Sequence, residues 1–227
     1  FHVMPFYEPI SWKKIKSIIK PGDTVIDVGA HMGIYTIPMA RIVGPNGLVI
    51  AIEPSPLVKD ILSINVKING LQDSVMIIDK AVYSERKFLD FYYSPSETGI
   101  GSLRKDWVEK CASFLYRKRI EALPLDELLE EVGIGHRHVK LLKMDVERSE
   151  VEVLRGARYT LRNTDYIVFE ATEQTINECV KILNSSGFKV SPLERLGGTT
   201  FNYIAEKRSC SSAPFTQATR RRTRPLT

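Results

Sequence analysis

Acidic residues and glycines stand where short apolar runs of the sequence end. Four such runs are followed directly by Gly29, Glu53, Asp79 and Asp145, and the first run also contains Asp27. In open α/β sheets, ligands bind outside the carboxyl ends of the strands, so we expect these residues to meet at one edge of a sheet. The sequence therefore predicts a ligand site made from one glycine turn and several carboxylates.

The first of these turns reads DVGAHMG over residues 27–33. Gly29 lets the backbone turn sharply and approach a ligand, because it has no Cβ, and Gly33 lets the following helix pack close to the strand. The start of that helix would offer free N–H groups and a partial positive charge. The spacing lacks the GxGxxG pattern of dinucleotide sites, and no Gly-Lys-Ser or Gly-Lys-Thr follows, which excludes a P-loop.

Three carboxylates around this loop fit one particular ligand. Glu53, which lies 26 residues after Asp27, can accept both ribose hydroxyls of an adenosine. Charge-assisted hydrogen bonds of this kind contribute about 1.5–3 kcal/mol each. Asp79 can accept from the adenine amino group, and Asp27 places negative charge near a cationic amino acid. An adenosine joined to a positively charged methionine needs this arrangement, so the sequence predicts S-adenosylmethionine as the cofactor.

Asp145 and Glu147 are the candidate catalytic residues, since they follow the fourth strand, where the target of methyl transfer should lie. One could take a proton from the acceptor while the other holds its hydroxyl, and a positioned base contributes about 10²–10⁴-fold. Two carboxylates alone do not predict a metal ion. Alternatively, Glu147 only caps the next helix. Lys143 shares a strand face with Asp145 and is expected to neutralise it.

The elements that must position these residues are short β-rich runs alternating with longer helical stretches. This alternation predicts a mainly parallel sheet covered by helices, with two late strands forming an antiparallel edge. The predicted strands are residues 24–28, 48–52, 75–78, 87–93, 119–123, 139–144, 166–169, 188–190 and 201–206. The predicted helices are residues 11–20, 34–43, 57–69, 126–132, 149–161 and 175–185.

The alternation breaks at residues 83–122, which we interpret as a flap insertion with a loop or helix at its tip. Its loop at residues 94–103 is either a lid over the acceptor or a plain solvated loop, and its glycines would allow hinge motion. We expect residues 1–207 to form a single domain. Residues 208–227 form a basic, polar segment that is predicted to be disordered.

The net charge of +5 belongs to that last segment. Without its five arginines the chain has 27 basic and 27 acidic residues, so a nucleic-acid partner is unlikely. Three scattered cysteines suggest a reducing compartment. No apolar run reaches the roughly 18 residues of a membrane span, and the N-terminus lacks the order of a signal peptide. A cytoplasmic location is the resulting expectation, and the oligomeric state stays open.

Five phrases of the sequence follow one another in the order of a known family. They are PGDTVIDVGAHMGIYT, AIEPSP, DKAVYS, LPLDELL and LLKMDVERSEVEVLRGA. In these phrases the sequence resembles the class I methyltransferases, and within them the FkbM family. The resemblance implies a Rossmann-like, doubly wound, seven-stranded and mostly parallel sheet with a late antiparallel hairpin. It also implies S-adenosylmethionine as cofactor and O-methylation of a hydroxyl on a small molecule, sugar or glycan.

The resemblance extends to individual residues. The residues that it places around the cofactor, with their direct neighbours, are Asp27, Gly29, Ala30, His31, Gly33, Glu53, Pro54, Asp79, Lys80 and Ala81. Asp145 and Glu147 match the D-x-E signature after the fourth strand. The sequence departs from the family pattern at His31, where the family usually has Asn, and at Arg148, where it usually has Gly. A glycine there permits an unusual turn, so Arg148 could reshape the site.

Two other functions stay open. Some RNA methyltransferases share a similar first half, but they usually carry an Asn-Pro-Pro-like turn that holds a flipped base after the fourth strand. The turn here reads DVERSE, which argues against base chemistry. The second alternative is a binding module that keeps the cofactor site but is catalytically inactive, with Arg148 as the suspicious change.

Overall fold

A computed structural model describes residues 7–94 and 101–208 of the chain. Within these residues the helices are α1 (Pro9–Ile18), α2 (Thr36–Val43), α3 (Pro56–Ile68), α4 (Lys105–Cys111), α5 (Leu125–Glu131), α6 (Glu150–Arg155), α7 (Arg158–Arg162) and α8 (Ile176–Ser185). The strands are β1 (Thr24–Val28), β2 (Leu48–Ile52), β3 (Val75–Ile78), β4 (Ala81–Val82), β5 (Lys87–Tyr93), β6 (Gly101–Ser102), β7 (Tyr116–Leu123), β8 (Val139–Met144), β9 (Thr164–Thr172), β10 (Phe188–Gly197) and β11 (Thr200–Lys207).

Seven strands form the main sheet, in the order β10-β11-β9-β8-β1-β2-β3. The strands from β9 to β3 pair in parallel with their neighbours, whereas β11 runs antiparallel to both β9 and β10. The predicted doubly wound, mostly parallel sheet with a late antiparallel hairpin is confirmed. The strand order reverses between β1 and β8, and such a switch point is where open α/β sheets bind ligands.

Helices cover both faces of the main sheet, so its central strands have no solvent face. Ile26 belongs to one buried cluster with Leu183 of α8, while Val25 belongs to a second with Ile15 of α1. Strands buried on both faces are near-continuous apolar runs, which explains the sequences TVIDV and LVIAI. Asp27 is the exception: it is fully buried inside β1. A buried carboxylate is costly unless it is paired, so this position needs a partner.

The insertion forms a second, four-stranded sheet in the order β4-β7-β5-β6. β5 and β7 are its antiparallel core pair, and α4 stands at the tip region where a loop or helix was expected. Its small apolar core consists mainly of Phe91, Ile120 and Ala122. The sequence patterns missed β4, since a two-residue strand has no periodicity to detect. Residues 95–100 of the proposed lid loop, and the basic segment beyond residue 208, lie outside the described residues.

Several boundaries differ from the predictions for local reasons. The single helix expected at residues 149–161 is interrupted at Gly156, where a Cβ would lie 2.2 Å from the carbonyl oxygen of Tyr83. The helix expected from Ile34 begins at Thr36, because the glycine loop is longer than its pattern suggests. β10 extends far beyond the expected residues 188–190, with register shifts that include one at Pro192. Among the described residues, no helix is long and apolar enough to span a membrane.

Candidate active site

A cavity opens at the carboxyl edge of the main sheet, at the switch point between β1 and β8. It contains about 1170 Å³ of empty space, including its open mouth. Nine of the twelve sequence-predicted site residues line it: Gly29, Ala30, His31, Glu53, Pro54, Lys80, Ala81, Asp145 and Glu147. Asp27, Gly33 and Asp79 do not contribute to its wall. The N-terminal segment and the insertion also contribute to the wall, including Tyr7, Phe91 and Ser102.

The glycine loop is held tightly against neighbouring strands. Gly29 has φ +79°, and a Cβ there would lie 1.7 Å from the carbonyl oxygen of Asp145, so only glycine fits. The N–H groups of Gly29 and Ala30 both donate to the carbonyl of Ile52, at 3.0 and 3.1 Å. His31 adopts a left-handed backbone with φ +50°, a conformation that Asn tolerates better than most residues. The backbone geometry therefore accommodates His31 in place of the family's usual Asn, at some local strain.

Glu53 is fixed by this loop and is only 6% exposed. Its carboxylate accepts the N–H of His31 at 2.9 Å and the N–H of Ser55 at 2.8 Å. Burial raises the pKa of Glu53 to about 7, against the lowering effect of these two N–H groups. Each carboxylate oxygen accepts one of these N–H groups, and because Glu53 lines the cavity, each can also accept a hydroxyl.

Asp27 lies behind the loop, and the side chains that contact its carboxylate come from the protein interior. Thr36 donates its hydroxyl to Oδ2 at 2.6 Å, whereas Oδ1 accepts no hydrogen bond. The Nζ of Lys143 lies 3.8 Å from Oδ1 of Asp27 and 3.4 Å from Oδ2 of Asp145. The same Nζ lies 4.7 Å from the centre of the Tyr35 ring. Burial raises the pKa of Asp27, opposed by Lys143. Burial lowers the pKa of Lys143, but Asp145 and Asp27 outweigh it and the net shift is upward.

The expected adenine-side residues divide into two groups. Lys80 and Ala81 line the cavity, and Lys80 forms an ion pair with Glu121 of the insertion. The Asp79 side chain is 67% exposed and its carboxylate lies 3.5 Å from Lys59 on the surface. The structure therefore does not bring Asp79 to the cavity, and its contact with adenine stays a prediction.

The turn that follows Asp145 is strained and clamped to the insertion. Glu147 and Arg148 both have left-handed backbones, with φ +49° and +74°, although neither is a glycine. The indole Nε1 of Trp107 donates to Glu147 at 2.8 Å, and the hydroxyl of Ser102 donates to the Glu147 carbonyl at 2.7 Å. The Arg148 guanidinium lies 3.9 Å from the centre of the Trp107 ring. Arg148 thus stands where the family usually has glycine, and its side chain holds the turn against the insertion.

Glu147 does not cap α6, because no side chain caps this helix and Glu147 bonds to Trp107 instead. The carboxylate that accepts the N–H of Arg148, at 2.9 Å, belongs to Glu150. Burial raises the pKa of Glu147 to about 7, and the charge of Asp145 adds to the shift. Glu147 is therefore available to the cavity as a carboxylate of near-neutral pKa.

Several cavity residues carried no clear sequence signal. Tyr7 lines the cavity, and the Glu8 carboxylate beside it accepts the hydroxyl of Tyr35 at 2.5 Å and the amide of Asn202 at 2.7 Å. Burial and the Asp145 charge raise the pKa of the Tyr7 hydroxyl. These residues come from distant parts of the chain, so no local pattern could group them. Glu170 is different, because it directly follows a predicted strand, and residues at that place are expected at the ligand-binding edge of the sheet.

No group of three or more His, Cys, Asp or Glu side chains with the geometry of a metal site occurs in residues 7–94 and 101–208. His136 and His138 are exposed near the start of β8, at the opposite end of the sheet. His136 contacts the hydroxyl of Tyr159 at 3.1 Å, and His138 contacts Asp165 at 2.9 Å. Both therefore lie on the surface, away from the cavity.

Solved structures share this fold across low sequence identity. An rRNA methylase from Streptococcus thermophilus matches with a TM-score of 0.57 at 10% identity, covering 90% of this chain and 99% of that one. An S-adenosylmethionine-dependent O-methyltransferase from Thermotoga maritima matches with a TM-score of 0.54 at 16% identity, covering 90% and 66%. The strand order and these matches show that the chain has a Rossmann-like fold that solved methyltransferase structures share.

The family model described as "Methyltransferase FkbM domain" matches residues 27–190, and the chain therefore belongs to the FkbM methyltransferase family. S-adenosylmethionine is accordingly its cofactor. Methyltransferase sdnD from Sordaria araneosa is 28% identical, over 58% of this chain and 59% of that protein. The 31-O-demethyl-FK506 methyltransferase FkbM from Streptomyces tacrolimicus is 26% identical, over 84% and 83%. The match to sdnD thus spans less than two thirds of its length.

Proposed function

We propose that this protein transfers a methyl group from S-adenosylmethionine to a hydroxyl on a small molecule, sugar or glycan. The observation that carries the proposal is a carboxylate at the methyl-transfer end of the cavity: Asp145 lines the wall and has the buried ammonium of Lys143 at 3.4 Å. A relative whose name gives an O-demethyl compound as its substrate, matched over most of both chains, supports oxygen as the target.

The residues on the cofactor side fit an adenosine. The lone pairs of Glu53 that face the cavity suit two ribose hydroxyls, while Pro54, Ala81 and Val82 supply apolar wall for a flat base. Gly29 has no side chain, so the backbone of the loop can approach the ligand closely. When bound, the cofactor supplies an electrophilic methyl group on a sulfonium. Asp27, whose Oδ1 accepts no hydrogen bond and lies 3.8 Å from the Lys143 ammonium, contributes negative charge behind the loop.

On the acceptor side, the protein must orient a hydroxyl and remove its proton. Asp145 accepts the hydroxyl hydrogen and so directs the oxygen, which can lower the barrier by several kcal/mol through alignment alone. The ammonium of Lys143, 3.4 Å away, pairs with this carboxylate inside the fold. Glu147 stands on the other side of the same wall, held by Trp107. Proton removal falls to a carboxylate at this end of the cavity.

The cavity argues for a neutral acceptor. Asp145, Glu147 and Glu170 all line its acceptor end, and Lys143 is the cation beside them. Among the described residues, an acceptor that bears phosphate or carboxylate would find no cation there that is not already paired, whereas a hydroxyl-rich molecule offers the donors that carboxylates bind. RNA is disfavoured for the same reason, and because charge outside the last twenty residues is balanced.

A methyl-transfer screen with methyl-labelled S-adenosylmethionine tests the proposal against sugars, lipids, polyketides and RNA. We expect label on an oxygen of a neutral small molecule or glycan, and none with the Asp145→Asn variant. Label on RNA would replace the proposal by the nucleic-acid alternative. Tight cofactor binding without transfer to any class would favour the inactive binding module.

A further inference from the structure

Glu170 is placed by the register of the sheet directly beside the candidate catalytic carboxylate. Met144 of β8 pairs with Phe169 of β9, so the residues that follow them, Asp145 and Glu170, lie side by side at the carboxyl edge. On its other side, Glu170 pairs with Asn202 of β11. Both carboxylates line the same cavity. Glu170 is thus part of the acceptor end of the site.

The surroundings of Glu170 are acidic on every side. The titratable and charged groups that face it are Lys143 from β8, Asp145 and Glu147 from the turn after β8, Glu150 from α6, and Tyr7 and Glu8 from the N-terminal segment. The cation among them, Lys143, already contacts Asp27 and Asp145. In the described part of the chain, no hydrogen bond or ion pair reaches the Glu170 carboxylate.

This environment keeps Glu170 protonated in the free protein. Burial raises its pKa to about 9, and the charges of Asp145 and Glu147 add to the effect. A cation that enters the cavity would lower the pKa of such a carboxyl group, because it favours the ionised form.

We propose that Glu170 gives up its proton when S-adenosylmethionine binds and then accepts the proton that leaves the acceptor hydroxyl. The inference rests on the proposed function. In the transfer, the bond between methyl carbon and sulfur breaks with its electron pair left on sulfur. The bond between that carbon and the acceptor oxygen forms, and the hydroxyl proton passes to the Glu170 carboxylate. The cavity loses one positive and one negative charge together, so its net charge does not change.

Isothermal titration calorimetry of the full chain can count the displaced proton without any acceptor. Binding enthalpies measured at pH 8 in phosphate and in Tris, whose ionisation enthalpies differ, give the number of protons released. S-adenosylhomocysteine is the matched ligand, since it lacks only the methyl group and the sulfonium charge. Glu53 meets the same ribose in both ligands, so its response cancels. We expect S-adenosylmethionine to release at least about half a proton more than S-adenosylhomocysteine.

Glu170→Gln should remove this difference, and Glu173→Gln, an exposed acid three residues away, should retain it. In the wild type, affinity for S-adenosylmethionine should rise severalfold from pH 7 to pH 9, while affinity for S-adenosylhomocysteine changes less. Equal proton release by the two ligands, or a difference that survives Glu170→Gln, would overturn the inference alone. If neither ligand binds, the proposed function is overturned as well. Should Glu170→Gln fail to fold, the wild-type pH dependence decides.

Discussion

The two ends of the cavity hold their carboxylates in different ways. At the cofactor end, Glu53 accepts two backbone N–H groups at 2.8 and 2.9 Å, and Asp27 accepts a hydroxyl at 2.6 Å. At the acceptor end, Asp145 has one ammonium at 3.4 Å and Glu147 one indole N–H, while Glu170 faces other acids. The cofactor end is therefore formed before any ligand arrives, whereas the acceptor end keeps unbalanced charge for its ligands.

This contrast follows from where the partners come from. Backbone donors of the glycine loop are fixed by β1 and β2, so the cofactor end is set once these two strands pair. The acceptor end takes its partners from side chains of the N-terminal segment, β8, β9 and the insertion. Preorganised dipoles cost nothing to arrange at the moment of reaction, while side-chain partners can be exchanged to suit a different acceptor. The difference can be tested end by end.

The largest expected effect is at Glu53. In Glu53→Gln an amide NH₂ faces one of the two N–H donors, so the loop loses a partner and the ribose loses an acceptor. Losing two charge-assisted bonds costs about 3–6 kcal/mol, which is a loss of about 10²–10⁴ in affinity. We expect S-adenosylmethionine and S-adenosylhomocysteine to be weakened alike, as measured by calorimetry.

Asp79→Asn is the control for that variant, since Asp79 is 67% exposed and faces Lys59 on the surface. We expect its affinity for both ligands to stay within about threefold of wild type. A loss as large as that of Glu53→Gln would restore Asp79 to the adenine contact predicted from the sequence, and would show that the loop closes further on binding.

The second effect should appear in turnover and leave binding alone. Asp145→Asn keeps the shape of the side chain but loses the charge that orients the hydroxyl, so the methyl-transfer rate should fall by about 10²–10⁴-fold. The affinity for S-adenosylmethionine should change much less, by tenfold at most. Asp165→Asn, at the opposite end of the sheet, should leave the rate unchanged. Normal turnover in Asp145→Asn would remove Asp145 from the mechanism.

The same contrast explains which features could be predicted from the sequence. The boundaries of β1, β2, β3 and β8 were predicted without error, because strands buried on both faces are near-continuous apolar runs between turn residues. The glycine loop and Glu53 lie directly after such strands, so their positions follow from the same pattern. This half of the site is local in the sequence, and local patterns therefore find it.

The acceptor end could not be found in this way. Tyr7, Phe91 and Ser102 meet at the cavity only through tertiary packing, and no spacing in the sequence links them. The bond between Trp107 and Glu147 joins positions 40 residues apart. The helix is interrupted at Gly156, where the chain packs against Tyr83 of the insertion. Helix propensity carries no information about such a contact. Prediction failed where structure was determined by contacts between distant segments.

The third effect concerns stability against pH. Folding raises the pKa of Glu53, Glu147 and Glu150 to about 7, and that of Glu170 to about 9. Folding thus favours their protonated forms, so their contribution is complete below the unfolded pKa of about 4.5 and is lost as pH rises through 7 and then 9. The melting temperature of the ligand-free protein should fall by a few degrees from pH 6 to pH 9.

Saturating S-adenosylmethionine should reduce that fall more than saturating S-adenosylhomocysteine does, because the sulfonium charge stabilises the ionised carboxylates. Glu170→Gln should flatten the part of the curve between pH 7 and pH 9. A ligand-free melting temperature that rises over this range would contradict the idea that the acceptor end carries unbalanced charge.

The smallest expected effect tests the clamp between the insertion and the catalytic turn. Trp107→Phe keeps a ring against Arg148 but removes the N–H that binds Glu147 at 2.8 Å. One lost hydrogen bond to a charged group costs about 1.5–3 kcal/mol at most when nothing replaces it, and water at the cavity mouth can replace part of it. We expect KM for the acceptor found by the transfer screen to rise about three- to tenfold, with cofactor affinity unchanged. Trp12→Phe, in α1, should change neither. Weaker cofactor binding in Trp107→Phe would mean that the two ends of the cavity are not independent, since the insertion would then also support the cofactor end.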